Sequence, residues 1–261
     1  MSSIFTYETW FEQNRYVTPQ SDFAHHGFDP SQFDMGKACL VTFSSSLFDK
    51  VLKRVSVIED DFRWPYDTTP LKICSTPSGK RFGVHFPSYG GARIANSLEQ
   101  LAACGYQYIF GLGLGGTLQE SVDIGDIVLL EGAIRGDGVS RYYAPVEFPA
   151  VADFELLGML SEMLKARGEK HHLGVSFGTD ALYREVEALA DRLRHLGVLI
   201  VDLESSAFLT VGRRLGLKCC WGGVVSDRLV GAVHEGNIHA EHVADKLLRL
   251  NDYMLQVIES L

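Results

Sequence analysis

"GLGLGG", residues 111–116, follows the apolar run "YQYIF" (106–110) and leads into "TLQESVDIGDIVLLEGAI" (117–134). Its glycines fit Gly-x-Gly-x-x-Gly, the spacing that lets a backbone approach the pyrophosphate of a dinucleotide. That chemistry requires the loop to follow the first strand and to open a helix, whose N-terminal N–H groups meet the anion. Three strand-like runs precede this loop, and a short polar turn and another strand follow it. Glu131, where a ribose contact would be sought, falls inside that next strand. The glycines therefore read as a strand ending in a tight crossing that needs small residues. No cofactor is implied.

The flanking sequence alternates strands and helices. "ACLVTF" (38–43) is a short buried strand, followed by a helical pattern from Ser46 to about Val55. "LKICSTPSGKRFGVHFP" (71–87) reads as a hairpin turning at Pro77-Ser78-Gly79-Lys80. Ile94, Leu98 and Leu101 then share a helix face that stops at Gly105. Beyond the glycines come the strand "DIVLLEGAI" (126–134), the amphipathic helix "ELLGMLSEMLKARG" (155–168) and the strand "HHLGVSFGTD" (171–180). The helix "REVEALADRLRHLG" (184–197), the strand "VLIVDLE" (198–204) and the helix "SSAFLTVGRRLG" (205–216) follow. A last buried strand, "KCCWGGVVSD" (218–227), precedes a closing helix over residues 239–261. This order predicts a single α/β/α domain with a central twisted, mostly parallel mixed sheet over residues 37–261. Residues 1–36, polar and aromatic, read as an extension preceding the compact fold.

Composition narrows the function. The chain has 261 residues, 46% hydrophobic and 22% charged, as expected of a globular domain with a substantial core. A net charge of −9 argues against a nucleic-acid partner, which needs clustered Lys and Arg. No apolar run reaches membrane-span length and the first residues lack a signal-peptide pattern, so a cytoplasmic protein without a membrane partner is expected. Cys39, Cys74, Cys104, Cys219 and Cys220 are odd in number and mostly set in apolar runs, so they read as reduced thiols. The adjacent pair Cys219-Cys220 lacks the ligand spacing of a metal site, and none is expected.

The stretch "VDIGDIVLLEGAIRGDGVSRYYAP" (122–145), after its glycine-rich strand, resembles the nucleoside phosphorylase family, in particular its uridine phosphorylase branch. The similarity continues through "VLIVDLESSAFLTVGRRLG" (198–216) and "GGVVSDRL" (222–229), the latter closer to the purine branch. It also takes in "SYGGARIANSLEQLAACG" (88–105) and extends from about His25 to the C-terminus. The resemblance implies a nucleoside phosphorylase-like fold and a pentosyltransferase or N-glycosyl hydrolase that acts on a small-molecule nucleoside. In that family the glycine loop walls the phosphate side.

Cleaving an N-glycosidic bond requires the ribose to be held, the base to be made a better leaving group and an acceptor to be placed at the anomeric carbon. Carboxylates serve twice, binding hydroxyls and complementing oxocarbenium charge. The resemblance assigns ribose contacts to Glu204, Leu203 and Asp202; the two acids have the alternative role of capping the helix that follows. It assigns proton donation at purine N7 to Asp227, with Ser226 beside it, the alternative being a turn aspartate. Base contacts are expected from Tyr183 and Leu182. The uridine branch has a phenylalanine, a glutamine and an arginine where Leu182, Val186 and Ala188 stand here. Uracil's paired hydrogen bonds are thereby lost, so a purine-like base is expected.

The acceptor side departs furthest from the family. Phe43 and Leu47 replace the glycine and arginine of the usual phosphate loop, and Gly111 and Leu114 replace an arginine and a Ser/Thr. Gly113, Leu114 and Gly115 would wall this side, with Ser44, Arg93 and His85 as candidate replacements for the lost contacts. His25 in "FAHHGFD" (23–29) matches a histidine that the family lends to a neighbour's ribose site. The implied unit is a homo-oligomer, a dimer or hexamer, with residues 1–36 contributing to subunit contacts. Three activities remain open: phosphorolysis through an altered phosphate site, hydrolysis with water as acceptor, and nucleoside binding without turnover.

Overall fold

Among the residues described in this computed structural model (15–58, 61–230, 233–236 and 240–261), seven α-helices surround one eleven-stranded sheet. The helices are α1 (Pro19–His25), α2 (Ser45–Leu52), α3 (Gly91–Ala103), α4 (Phe154–Ala166), α5 (Glu187–His195), α6 (Ser205–Arg214) and α7 (Glu241–Ser260). The first five strands are β1 (Ala38–Thr42), β2 (Ser56–Val57), β3 (Leu71–Ser75), β4 (Arg81–His85) and β5 (Tyr108–Thr117). The other six are β6 (Ile127–Gly136), β7 (Ala150–Val151), β8 (His171–Thr179), β9 (Ile200–Asp202), β10 (Lys218–Val230) and β11 (Val233–Gly236).

The sheet is mixed. Strand β1 lies parallel between β4 and β5, β5 is parallel to β10, and β8 is parallel to both β6 and β9. The β3–β4 hairpin, β5–β9, β6–β7, β6–β10 and β10–β11 are antiparallel. Because β10 pairs with both β5 and β6, the strands β5, β10, β6, β8 and β9 close a ring. The sandwich expected from the sequence is thus partly a barrel. Bulges between Val225 and Asp227 in β10 and between Leu130 and Gly132 in β6 supply the bending that closure needs.

Two expectations change here. The glycine run does not end a strand: β5 continues through Gly111–Gly116 to Thr117. A Cβ at Gly113 would sit 2.9 Å from both the Phe43 and Trp221 rings, so these glycines accommodate large side chains packed across the strand. The compact fold also begins before Lys37, because Phe23, Phe28 and Met35 are buried in the main core. Phe23 and Phe28 pack edge-on against Trp64, and Asp22 of α1 accepts a hydrogen bond from the Tyr66 hydroxyl. An aromatic cluster, not an apolar period, anchors this segment. That is why the polar sequence around it reads as a tail.

Helices α3 and α6 pack together, as do α4 and α7. Helix α6 is buried from Ser205 to Gly212, as its mixture of small and apolar residues allows. The motif "DGVS" serves as scaffold: Asp137 accepts from Ser206 Oγ (2.5 Å) and from the Ser140 backbone N–H (2.6 Å), tying the loop after β6 to the start of α6. No helix among the described residues is long and apolar enough to cross a membrane.

Candidate active site

A cavity of about 430 Å³ opens where β5, the end of β9 and the bulged part of β10 converge. Strand β9 ends at Asp202, and α6 starts at Ser205, so Leu203 and Glu204 occupy the turn between a buried strand and a buried helix. Asp202, Leu203 and Glu204 all line the cavity. Asp202 Oδ1 accepts the backbone N–H groups of Glu204 (2.8 Å) and Ser205 (2.7 Å), satisfying orphan donors at the helix start. Its capping role is therefore present. Asp202 Oδ2, fully buried, has no hydrogen-bond partner among the described residues, which leaves an acceptor or a proton to be matched by a ligand.

Glu204 Oε1 accepts the Gly90 N–H at 3.0 Å. Two residues before Gly90 stands Ser88, whose φ of 74° is left-handed and strained for a non-glycine residue. Burial, and then the neighbouring charge of Asp202, push the Glu204 carboxyl up to about 8. Burial likewise raises Asp202 to about 6, partly offset by the hydrogen bonds it accepts. Two buried acids without a cationic partner disfavour their charged forms.

Asp227 lies at the β10 bulge, with its side chain mostly shielded and facing the cavity. Ser226 Oγ donates to Asp227 Oδ1 at 2.5 Å, and His234 Nε2 on β11 lies 3.0 Å from Oδ2. Asp227 thus has an orienting hydroxyl on one oxygen and a titratable ring on the other. Glu185, which the sequence reading passed over, lines the same cavity. Burial and the charge of Asp227 raise its carboxyl to about 7, against the opposing influence of His234. The sequence carries little signal for it, since Glu185 stands in an irregular segment between a 3₁₀ turn (Leu182–Arg184) and α5.

On the opposite wall, Phe43, Ser44, Ser46, Leu47 and Lys50 contribute from the β1–α2 junction, and Leu112 to Gly116 from β5. The apolar character expected at Phe43, Leu47 and Leu114 is present. Lys50, also unforeseen, is the one cation lining the cavity among the described residues. Ser44 is the N-cap of α2, its Oγ 3.5 Å from the Leu47 N–H. Helix α7 closes the cavity with Val243, Ala244 and Leu247.

Three residues expected at the site lie elsewhere in the chain. His85 is wholly buried in the core, its ring between the Pro70 carbonyl (3.0 Å) and Ser97 Oγ (2.9 Å), and burial pushes it down to about 4. A neutral core histidine bridging β4 to α3 cannot hold a phosphate in this cavity. Arg93 sits exposed on the first turn of α3 and does not line the cavity. Tyr183 projects into solvent at 94% exposure, whereas Leu182 does line the cavity. His25 ends α1 on the surface and is not part of the cavity of its own chain.

A family model of the phosphorylase superfamily matches residues 71–260. The chain belongs to the phosphorylase superfamily. It is 29% identical over 212 residues to uridine phosphorylase of Escherichia coli (strain K12), covering 76% of this chain and 78% of that one. It is 30% identical over 181 residues to guanosine phosphorylase of Halorubrum lacusprofundi, covering 69% and 70% respectively. The fold superposes on the crystal structure of uridine phosphorylase from Vibrio fischeri ES114 with a TM-score of 0.73 at 20% identity, covering 89% of this chain and 95% of that chain. These matches place it among the nucleoside phosphorylases, which are pentosyltransferases.

Proposed function

We propose that this cavity cleaves the N-glycosidic bond of a purine-like nucleoside, with phosphate as acceptor through an altered anion site. The observation that carries the reading is the convergence of Asp202, Glu204 and Asp227 on one cavity over the glycine-rich strand. Glu204 and Asp202 face the ribose hydroxyls. Asp227, held by Ser226 and His234, protonates the departing base at a ring nitrogen, and Asp202, the more readily ionised of the two ribose-side acids, complements the positive charge that develops on the sugar. Leu182, Val186 and Ala188 offer none of the paired hydrogen bonds uracil demands, which supports the purine-like choice.

The acceptor enters from the β1–α2 side. Lys50, Ser44 and Ser46 supply its polar contacts, while Phe43, Leu47 and Leu114 exclude water around it. With Lys50, the one lining cation among the described residues, exposed, a second reading has water replace phosphate. His25 of a neighbouring subunit completes the ribose site in an oligomer. Base release from a purine nucleoside, measured with and without phosphate, tests the proposal. Phosphate-dependent release supports it, equal release in both buffers makes the protein a nucleosidase, and binding without release makes it a nucleoside-binding protein.

A further inference from the structure

A second cavity of about 230 Å³ adjoins the first. Glu185, Val201 and Leu229 line both, so these side chains form the partition. The far wall is apolar, built from Leu118, Phe177, Leu189, Ala190 and Leu193, with His234 at its rim. Leu118, Leu193 and Val201 belong to a small hydrophobic cluster separate from the main core. The hollow opens to solvent beside the exposed Val186 and Glu187, and apolar side chains left facing such a space lack contacts that a bound hydrocarbon would supply. A hollow that shares its wall with a ligand cavity is therefore a natural extension of that cavity.

Glu185 and Leu229 line the main cavity together with Asp227, the residue proposed to meet the base, and His234 of the side cavity lies 3.0 Å from Asp227 Oδ2. The partition's one polar member, Glu185, is half-buried in surroundings that favour its neutral form, and a carboxyl in that state can accept a hydrogen bond while donating another. Beyond it the lining is mostly apolar, the exposed Glu187 and His234 being its other polar members. A ligand group that fits this sequence has an N–H followed immediately by hydrocarbon.

Building on the function proposed above, we propose that the substrate is a purine nucleoside whose exocyclic amine carries an apolar substituent, the amine N–H meeting Glu185 and the substituent filling the side cavity. An unsubstituted amine leaves that cavity unfilled. A substituent gains the burial of its own surface there, each methylene taken from water being worth about a fourfold factor in affinity.

The test uses the full chain with adenosine and N6-benzyladenosine as probes. The benzyl compound should have the higher kcat/KM, by about tenfold or more. Ala190→Phe, placed on α5 at the cavity wall, should collapse that ratio towards one, and Ala190→Leu should lower it by an intermediate factor; melting curves establish that each variant is folded. A wild-type ratio of one or below overturns the proposal. So does a preference for the benzyl compound that survives in a folded Ala190 variant. If base is released from neither nucleoside, the proposed function fails, but the ratio of the two dissociation constants, read by calorimetry, still decides the side cavity in the same way.

Discussion

Gly116 is the last residue of the sequence "GLGLGG", and its missing side chain makes room for Asp227. A Cβ built there would lie 2.7 Å from Asp227 Oδ2 and 3.2 Å from Leu229 Cδ1. Gly116 pairs in register with Asp227 across β5 and β10, so neither backbone can retreat without disturbing the ring of strands. Ordinary van der Waals contact begins at 3.4 Å, so Gly116→Ala must displace the carboxylate oxygen by about 0.7 Å. Rotating the side chain off its rotamer costs about 0.5–1.5 kcal/mol, less than moving a strand. The carboxyl will turn, breaking its alignment with Ser226 Oγ and His234. A misplacement of about 1 Å at a reacting group costs on the order of a hundredfold in rate. We therefore expect Gly116→Ala to lower kcat for base release by about ten- to a hundredfold, with little change in melting temperature.

The comparison is Gly113→Ala, whose Cβ would meet the Phe43 and Trp221 rings at 2.9 Å. Overpacking there should cost about 1–3 kcal/mol of stability. In Asp227→Asn, the added Gly116→Ala should have little further effect, because the group it displaces is already disabled. Initial rates at saturating nucleoside and thermal melts of all four variants decide the matter. The reasoning fails if Gly116→Ala turns over within threefold of wild type while Asp227→Asn is inactive, or if the two substitutions lower the rate independently.

Asp227→Asn alone should reduce kcat by two or more orders of magnitude and leave nucleoside affinity nearly intact, as kinetics and calorimetry together will show, since proton donation acts only in the transition state. Glu204→Ala should instead raise KM and lower kcat, because ribose hydroxyls are held in both states. Glu204→Gln should become progressively more stable than wild type as pH rises. The folded-state carboxyl is raised from 4.5 to about 8, so its neutral-form stability is fully present below pH 4.5 and lost as pH rises through about 8; melting temperatures of both proteins across that window check the sign. Lys50→Ala should raise the KM for phosphate by about tenfold while changing the KM for nucleoside much less, in steady-state kinetics with each substrate varied in turn.

The legible parts of this fold are those that depend on local period. Helices α3, α4 and α7 follow their apolar spacing, and the β3–β4 hairpin follows its Pro-Ser-Gly-Lys turn. Barrel closure was hidden because it depends on β10 pairing with two partners, which no single stretch encodes. Asp202, Glu204 and Asp227 stand out because "VDLES" and "GGVVSD" resemble family motifs, and they line one cavity although Asp227 lies inside β10 and not at its end. His85 misled: it ends β4, yet its ring turns into the core towards Ser97, a contact set by tertiary packing. Lys50 went unnoticed because, in a helical pattern, a lysine ordinarily reads as a solvated position. Only the packing of α2 against β1, β4 and α7 brings it to the cavity.

The apolar acceptor wall and the raised acids of the opposite wall bear together on how phosphate is held. Phe43, Leu47, Gly111 and Leu114 stand where charged or polar family residues would be, and Lys50 is exposed at the edge. Burial raises the carboxyls of Glu185, Asp202 and Glu204, and no buried cation among the described residues lining the cavity offsets it. With Glu204 near 8, this acid is mostly neutral at pH 7, so an entering phosphate does not face the full charge of the acids that line the cavity. By linkage the effect must be mutual: phosphate binding favours the protonated carboxyls, and ionising them weakens phosphate binding. Phosphate should therefore bind more weakly as pH rises through about 8, where Glu204 takes on its charge.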